Sequence, residues 1–260
     1  MNHTLNTGLL ALGLFLAILA ALELGRRLGL RVRHRSPDGE LKGSGAAEGA
    51  VFGLLGLLIA FTFSGAADRF EDRRQLITQE ANAIGTAWLR VDLLPAPEAA
   101  AVRDQMRRYL NARIETFQRL TEPEALAEAS ERAAQLQQQI WSAAVAGSRA
   151  GGAAPDAAKL LLPALNEMID ITTTRLVATR THPPVAIYLM LGVLSLMGGL
   201  LIGYELAAKP RRDWLQMLIF PLVMSVSLFV ILDLEFPRRG LIRVDSADLV
   251  LVELRASMGE

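Results

Sequence analysis

Charged residues avoid four stretches of this chain: Thr4 to Leu22, Gly49 to Ala67, Pro183 to Tyr204 and Trp214 to Leu232. Each is about as long as the ~20 apolar residues that an α-helix needs to cross a ~30 Å hydrocarbon core. The pattern therefore predicts an all-α integral membrane protein with four transmembrane helices. Residues 1–67 hold the first two spans and their connecting loop, and residues 183–232 hold the last two. Residues 68–182 form a long insert between spans two and three, and residues 233–260 are a tail with a short amphipathic helix.

Within the insert the apolar positions recur with the 3.6-residue period of helices, and no hairpin signal interrupts them. The first stretch continues the second span from Gly49 to about Leu94, where Pro95 and Pro97 stop it; its stripe reads Phe63, Phe70, Ile77, Ala81, Ile84, Trp88, Val91. A second, from about Glu98 to Leu120, aligns Val102, Met106, Leu110, Ile114 and Phe117. A third begins at a capping box, Thr121 with Glu124, and aligns Leu126, Ala129, Ala133, Leu136 and Ile140. A fourth runs from Pro155 to about Thr181 and turns Leu161, Leu165, Met168, Thr172 and Leu176 inward, with Pro163 as a kink or a true start. Four helices of matching length predict an antiparallel bundle that extends the second and third spans.

Composition narrows the function classes. Lys and Arg number 27 and Asp and Glu 27, for a net charge of zero, so no strong positive field recruits nucleic acid. Cysteine is absent, which removes disulfides and thiolate chemistry. His3, His34 and His182 are dispersed, and no HExxH, G-x-S-x-G or phosphate-binding loop occurs, so the expectation is a protein that is not an enzyme and has no metal or cofactor. The first apolar run has no Lys or Arg ahead of it and reads as a retained span rather than a cleaved signal. Basic residues in short loops indicate sidedness. Arg26, Arg27, Arg31, Arg33, Arg35 and Lys42 in the first loop, with Lys209, Arg211 and Arg212 between spans three and four, favour cytoplasmic loops and an extracytoplasmic insert. Arg69, Arg73, Arg74, Arg175 and Arg180 on the other side oppose that orientation.

Three groups of residues are candidates for function. Small residues recur along the second span (Gly45, Gly49, Gly53, Gly56, Ala60, Ser64, Ala67) and the third (Gly192, Ser195, Gly199, Gly203). Such stripes let helices pack closely; alternatively they line a pore, with Ile59, Thr62, Phe63, Ser64 and Phe70 around its constriction. In the bundle, antiparallel register brings Glu80 and Asn82 level with Asn166, Glu167 and Asp170, as a polar layer that fixes register or, less readily, a metal site. At the edge of the fourth span, Asp233 and Glu235 need partners, for which Arg69, Arg73 and Arg180 are in reach as structural ion pairs or a charged ring. Pro221 should kink this span, with Ser225 and Ser227 covering the freed carbonyls.

LLGLLIAFTFSGAADRFEDRRQLITQEANAIGTAWLRVDLLP (Leu54 to Pro95), THPP (Thr181 to Pro184) and ILDLEFPRRGLIRVD (Ile231 to Asp245) resemble the bestrophin-like family of uncharacterised, mainly bacterial membrane proteins, over about residues 44–258. The resemblance implies membership of a domain family of unknown function named for its distant similarity to bestrophins, which are pentameric anion channels whose second span lines the pore with an apolar neck of Ile and Phe at i, i+4 and i+8. Ile59 and Phe63 fit two of those positions. Ala67 stands at the third and Phe70 three residues later, and the calcium-binding acidic run has no counterpart, so neither calcium gating nor anion selectivity is carried over. Bestrophins also keep the large helical region in the cytoplasm, against the basic-residue count. The leading expectation is an oligomeric channel in the lipid bilayer, a homo-oligomer passing small ions. The competing one is a membrane-anchored sensor or interaction module without transport.

Overall fold

The computed structural model describes residues 2–35, 45–118, 123–208, 214–238 and 240–259. It is all-α: α1 (Asn2–Arg35), α2 (Gly45–Arg90), a 3₁₀ turn (Val91–Leu93), α3 (Ala96–Gln118), α4 (Pro123–Ser148), α5 (Ala157–Arg180), α6 (Val185–Leu206), α7 (Trp214–Glu235) and α8 (Asp245–Ser257). Among the described residues, four helical segments are long and apolar enough to cross a membrane. The chain divides into two compact units, residues 1–70 with 182–242 and residues 71–181 with 243–260. Lys42, Lys209, Arg211, Arg212, the capping residue Thr121 and the side chain of Phe117 lie outside the described residues.

In the first unit, α1 and α6 lie backbone against backbone. A Cβ on Gly203 would come within 2.0 Å of the Leu22 carbonyl oxygen, and one on Gly25 within 2.0 Å of that of Leu200. Gly199 likewise meets Ile18, and Gly29 meets Tyr204 and Ala207. Residue numbers rise together along this seam, so the two helices run parallel, each offering a pair of glycines four apart. Close approach of this kind supplies the van der Waals contact that replaces the missing hydrophobic drive in lipid. Part of the small stripe on the third span is therefore a packing seam. Leu55, Ala66, Leu191, Ile231 and Leu234 form a buried cluster of α2, α6 and α7 residues, and Phe220 packs edge-on against Phe52 at 5.9 Å. Arg33 donates to the carbonyl oxygens of Ala207 (3.4 Å) and Ala208 (3.1 Å), a cation set against the negative end of α6. The outward side chains are large and apolar: Leu9, Leu12 and Leu16 on α1, Leu189 and Val193 on α6, Leu218 and Leu222 on α7. Pro221 sits inside the unbroken α7. The expected cover of its freed carbonyls by Ser225 is not what forms: that hydroxyl is buried with no hydrogen-bond partner.

In the second unit the apolar stripes meet as their spacing predicts. Ile77, Ile84 and Val91, then Val102, Met106 and Leu110, then Ile140, then Leu161, Leu165 and Met168 are all essentially inaccessible to solvent. Leu176, expected inward, is instead 49% exposed. Helix α5 passes through Pro163 in its second turn, close enough to its start that few ladder bonds are lost. The amphipathic α8 belongs to this unit, burying Leu251 and Met258; Arg107 donates to the Met258 carbonyl at 3.2 Å and Arg255 to Asn111 at 3.0 Å. The guanidiniums of Arg103 and Arg107 each lie 5.3 Å from the Trp88 ring centre, a cation–π arrangement.

Candidate functional site: the span edge and the open face of α2

The last turn of α7 carries two carboxylates that fold the chain back on itself. Asp233 is 1% exposed and accepts hydrogen bonds from the backbone N–H of Leu241 (3.0 and 2.9 Å) and of Ile242 (2.7 Å). A Cβ on Gly240 would fall 2.1 Å from the Asp233 Oδ1, so the turn in LEFPRRGLI accepts only a residue without a side chain there. Glu235, also 1% exposed, is held from two sides. Arg69 of α2 donates from Nε at 2.9 Å to Oε1. His182, in the non-helical step before α6, sets Nδ1 3.3 Å from Oε2 and stacks its ring on Phe236 with centroids 4.6 Å apart. A carboxylate at the edge of the apolar layer is expensive unless compensated, and here it is compensated by a guanidinium and an imidazole. Arg73 and Arg180 are placed elsewhere. Arg73 is buried in the second unit and donates to the carbonyls of Ala178 (3.1 Å) and Thr181 (3.0 Å), closing the C-terminal end of α5. Arg180 is exposed.

Helix α2 has two unlike faces in the first unit. Leu55, Thr62 and Ala66 are buried, and Leu58, Ile59 and Phe70 pack on the core cluster. The Thr62 hydroxyl is spent on the Leu58 carbonyl at 2.6 Å. On the opposite face a Cβ at Gly49, Gly53 or Gly56 would meet nothing within 4 Å, and Ala60, Phe63 and Ser64 are exposed. The five residues expected around a constriction are thus split. Phe63 and Ser64 lie on the open face, whereas Ile59, Thr62 and Phe70 hold α2 to its own chain. The open side of α2 carries a strip of glycine, alanine and serine beside the exposed Leu54, Leu57, Phe61 and Phe63, whereas the outward residues named on α1, α6 and α7 are leucine and valine.

The polar centre of the bundle also differs from the expected layer. Glu80 is inaccessible to solvent and paired with two arginines: Arg113 donates at 2.6 Å from Nε, and Arg175 bonds the other oxygen. Arg175 also faces Asp248 of α8 at 3.8 Å. Burial pushes the Glu80 carboxyl up, but the adjoining charges of Arg113 and Arg175 outweigh it and hold the group below its ordinary value. Tyr109 beside them takes a bond from Gln137 at 3.3 Å. Asn82, Asn166, Glu167 and Asp170 are exposed; Asn166 donates to Asp170 at 2.7 Å on the surface of α5. The correction has a sequence signal: Arg113 and Arg175 each fall three residues beyond an inward position, Leu110 and Thr172, so a cation interrupts an apolar stripe. Among the described residues no group of three or more His, Asp or Glu is placed to hold a metal.

The sequence matches the Bestrophin-like domain over residues 12–249. The chain belongs to the bestrophin-like family. No curated protein sequence matches it. A crystal structure of a bacterial bestrophin homolog from Klebsiella pneumoniae, carrying an isoleucine-to-threonine mutation, superposes with a TM-score of 0.70 at 14% identity, covering 95% of this chain and 99% of that one. A leucine-to-threonine mutant of the Klebsiella pneumoniae homolog gives 0.68 at 15% identity, again over 95% and 99%. The fold of this bestrophin-like protein is therefore that of the bacterial bestrophin homologs, with residues 12–249 accounting for nearly all the described helices.

Proposed function

We propose that this bestrophin-like protein is an oligomeric membrane channel in which α2 of each copy faces a shared axis and small ions pass between the copies. The observation that carries this reading is the open face of α2. Its strip of glycine, alanine and serine, which runs beside the exposed Leu54, Leu57 and Phe61, suits a helix that approaches other helices or borders water. Phe63 is a wide side chain beside that strip, as is Phe61, and a ring of such side chains would form an apolar narrowing that gates by dewetting. Ser64 supplies the neighbouring hydroxyl, and Ile59, Thr62 and Phe70 anchor α2 behind it. The ion pair of Arg69 with Glu235 steadies the same helix at the end of the apolar layer. The reading is of a conduit rather than an enzyme, because among the described residues the buried ionisable groups are engaged with structural partners.

Two measurements test it. The mass of the detergent-purified particle should be that of a multimer, and reconstituted liposomes should show ion flux that falls when Phe63 is replaced by a larger or charged residue. A confirmed multimer without flux overturns the channel. A monomer favours instead a membrane-anchored interaction module. The basic-residue count favours an extracytoplasmic bundle, whereas bestrophins hold the corresponding region inside; protease access to the Gly151–Gly152 turn in intact cells separates the two.

A further inference from the structure

The first helix does not stop where its apolar run does. Beyond Leu22, α1 continues unbroken to Arg35, and at 1.5 Å per residue this arm carries it about 20 Å further, through and past a headgroup layer roughly 5–7 Å thick. Residues 24–35 hold Arg26, Arg27, Arg31, Arg33, His34 and Arg35 and no Asp or Glu. The arm has two unlike sides. Gly25 and Gly29 lie against α6, and Arg33 is spent on the carbonyls at the end of that helix. On the far side Arg27, Arg31 and Arg35 follow one another at four-residue spacing, and the same side carries Leu24 and Leu28, which are 51% and 37% exposed. Arg31 and Arg35 are exposed, and among the described residues no carboxylate pairs with either. Arg27 pairs with Glu23 at 2.9 Å, but its side chain is 69% exposed, and such a surface pair is weak enough to yield to another anion.

We propose that this outward side of the α1 arm is a binding surface for the headgroups of anionic phospholipids, with Arg31 and Arg35 as the phosphate partners and Arg27 beside them. Guanidinium is suited to the task because its planar fork meets two phosphate oxygens at once. Position selects lipid over other anions. In a helix the Cα–Cβ bonds tilt toward the N-terminus, which on α1 is the direction of the apolar run, so arginines beyond the run lean back toward the headgroup layer. Leu24 and Leu28 interleave with them on the same side and meet the acyl boundary. A soluble acidic partner matches the arginines and leaves the leucines in water; a phospholipid matches both. Trp214, 59% exposed, opens α7 six residues after Ala208, whose carbonyl Arg33 holds, so the same end of the unit also carries the aromatic side chain that favours a membrane–water interface.

The test counts the phospholipid retained by the full-length protein after purification from mixed micelles containing equal amounts of phosphatidylglycerol and phosphatidylcholine. The parent should retain phosphatidylglycerol several-fold over phosphatidylcholine. That preference should shrink in 1 M NaCl, where the Debye length is about 3 Å. Each basic side chain at an anionic surface is worth roughly fivefold in association, so Arg31→Gln with Arg35→Gln should bring the ratio close to one, whereas Arg31→Lys with Arg35→Lys should keep most of it. Arg108→Gln with Arg132→Gln removes the same charge from exposed positions on α3 and α4 and should leave the preference intact. Equal retention of the two lipids by the parent overturns the proposal. So does a preference that persists in 1 M NaCl or in the folded Gln pair, and so does one that millimolar glycerol 3-phosphate abolishes, which would mark a site for the free anion. If the Gln pair fails to fold, Arg35→Gln alone, at the last residue of α1, should still lower the ratio, and an unchanged ratio there counts against the surface. The readout requires neither conduction nor a multimer, so it stands or falls apart from the channel reading.

Discussion

At the scale of single residues, the chemistry is dominated by carboxylates that the fold has enclosed and then compensated. Glu80 is the clearest case, because two guanidiniums converge on it in the bundle interior. Glu80→Gln removes the buried negative charge that Arg113 and Arg175 share, and breaking a buried pair in this way costs about 3–5 kcal/mol; denaturant unfolding should register it. Asp170→Asn on the surface of α5 should change stability by no more than about 0.5 kcal/mol. The pH dependence has a definite sign. A carboxyl held below its ordinary value of 4.5 contributes stability that is complete above that value and is lost as acid carries the solution through the lower folded value. The parent should therefore lose stability on acidification through and below this range, and Glu80→Gln should flatten that limb. Gly240→Ala introduces a Cβ 2.1 Å from Asp233 Oδ1. Either the carboxylate or the loop must move, so the cost should be at least about 1–3 kcal/mol, visible as a lowered melting temperature.

Between elements, the glycines divide by what faces them. Gly25 and Gly203 sit where the α1 and α6 backbones touch, and a Cβ at either meets a carbonyl oxygen that cannot rotate away. Gly203→Ala should force the two helices apart and destabilise the single chain, read as lost protection of α1 amides in hydrogen exchange. Gly53→Ala and Gly56→Ala meet open space, so the isolated chain should tolerate them and gain a few tenths to about 1 kcal/mol of helix propensity each. If α2 faces other copies, those two substitutions should shift the particle toward smaller mass without unfolding it. Equal behaviour of the two glycine pairs would contradict the distinction. Both stripes have the same small-residue spacing in the sequence, which is why periodicity alone left packing and pore lining as alternatives for each. The α6 stripe resolves into a seam because α1 supplies its own pair, Gly25 and Gly29, at the matching height. Gly25 and Gly29 lie beyond the charge-free run Thr4 to Leu22, so the apolar pattern of the first span does not mark them.

For the whole molecule, the proposal rests on a helix whose smallest residues point away from its own chain. Reconstitution should yield flux from a multimer, and Phe63→Ala should raise it by removing a wide side chain beside the small-residue strip. Much of this was legible beforehand because it follows from counting. Four charge-free runs of membrane length, apolar stripes at the helical period, and prolines at the helix ends determined an all-α membrane protein and most of the inward positions of its bundle helices, while the family followed from the resemblance of three segments. They did so because burial in lipid or in a bundle is a property of one helix and its own repeat. What only the tertiary structure decided is which partner each exposed or polar residue meets: Glu80 with Arg113 and Arg175 rather than the residues level with it, Glu235 with Arg69 and His182 rather than Arg180, and Thr62 turned to its own core rather than to an axis. Long side chains reach across more than a turn, and a helix has several faces of similar composition. Pairing therefore depends on distances between elements that no single element's sequence contains.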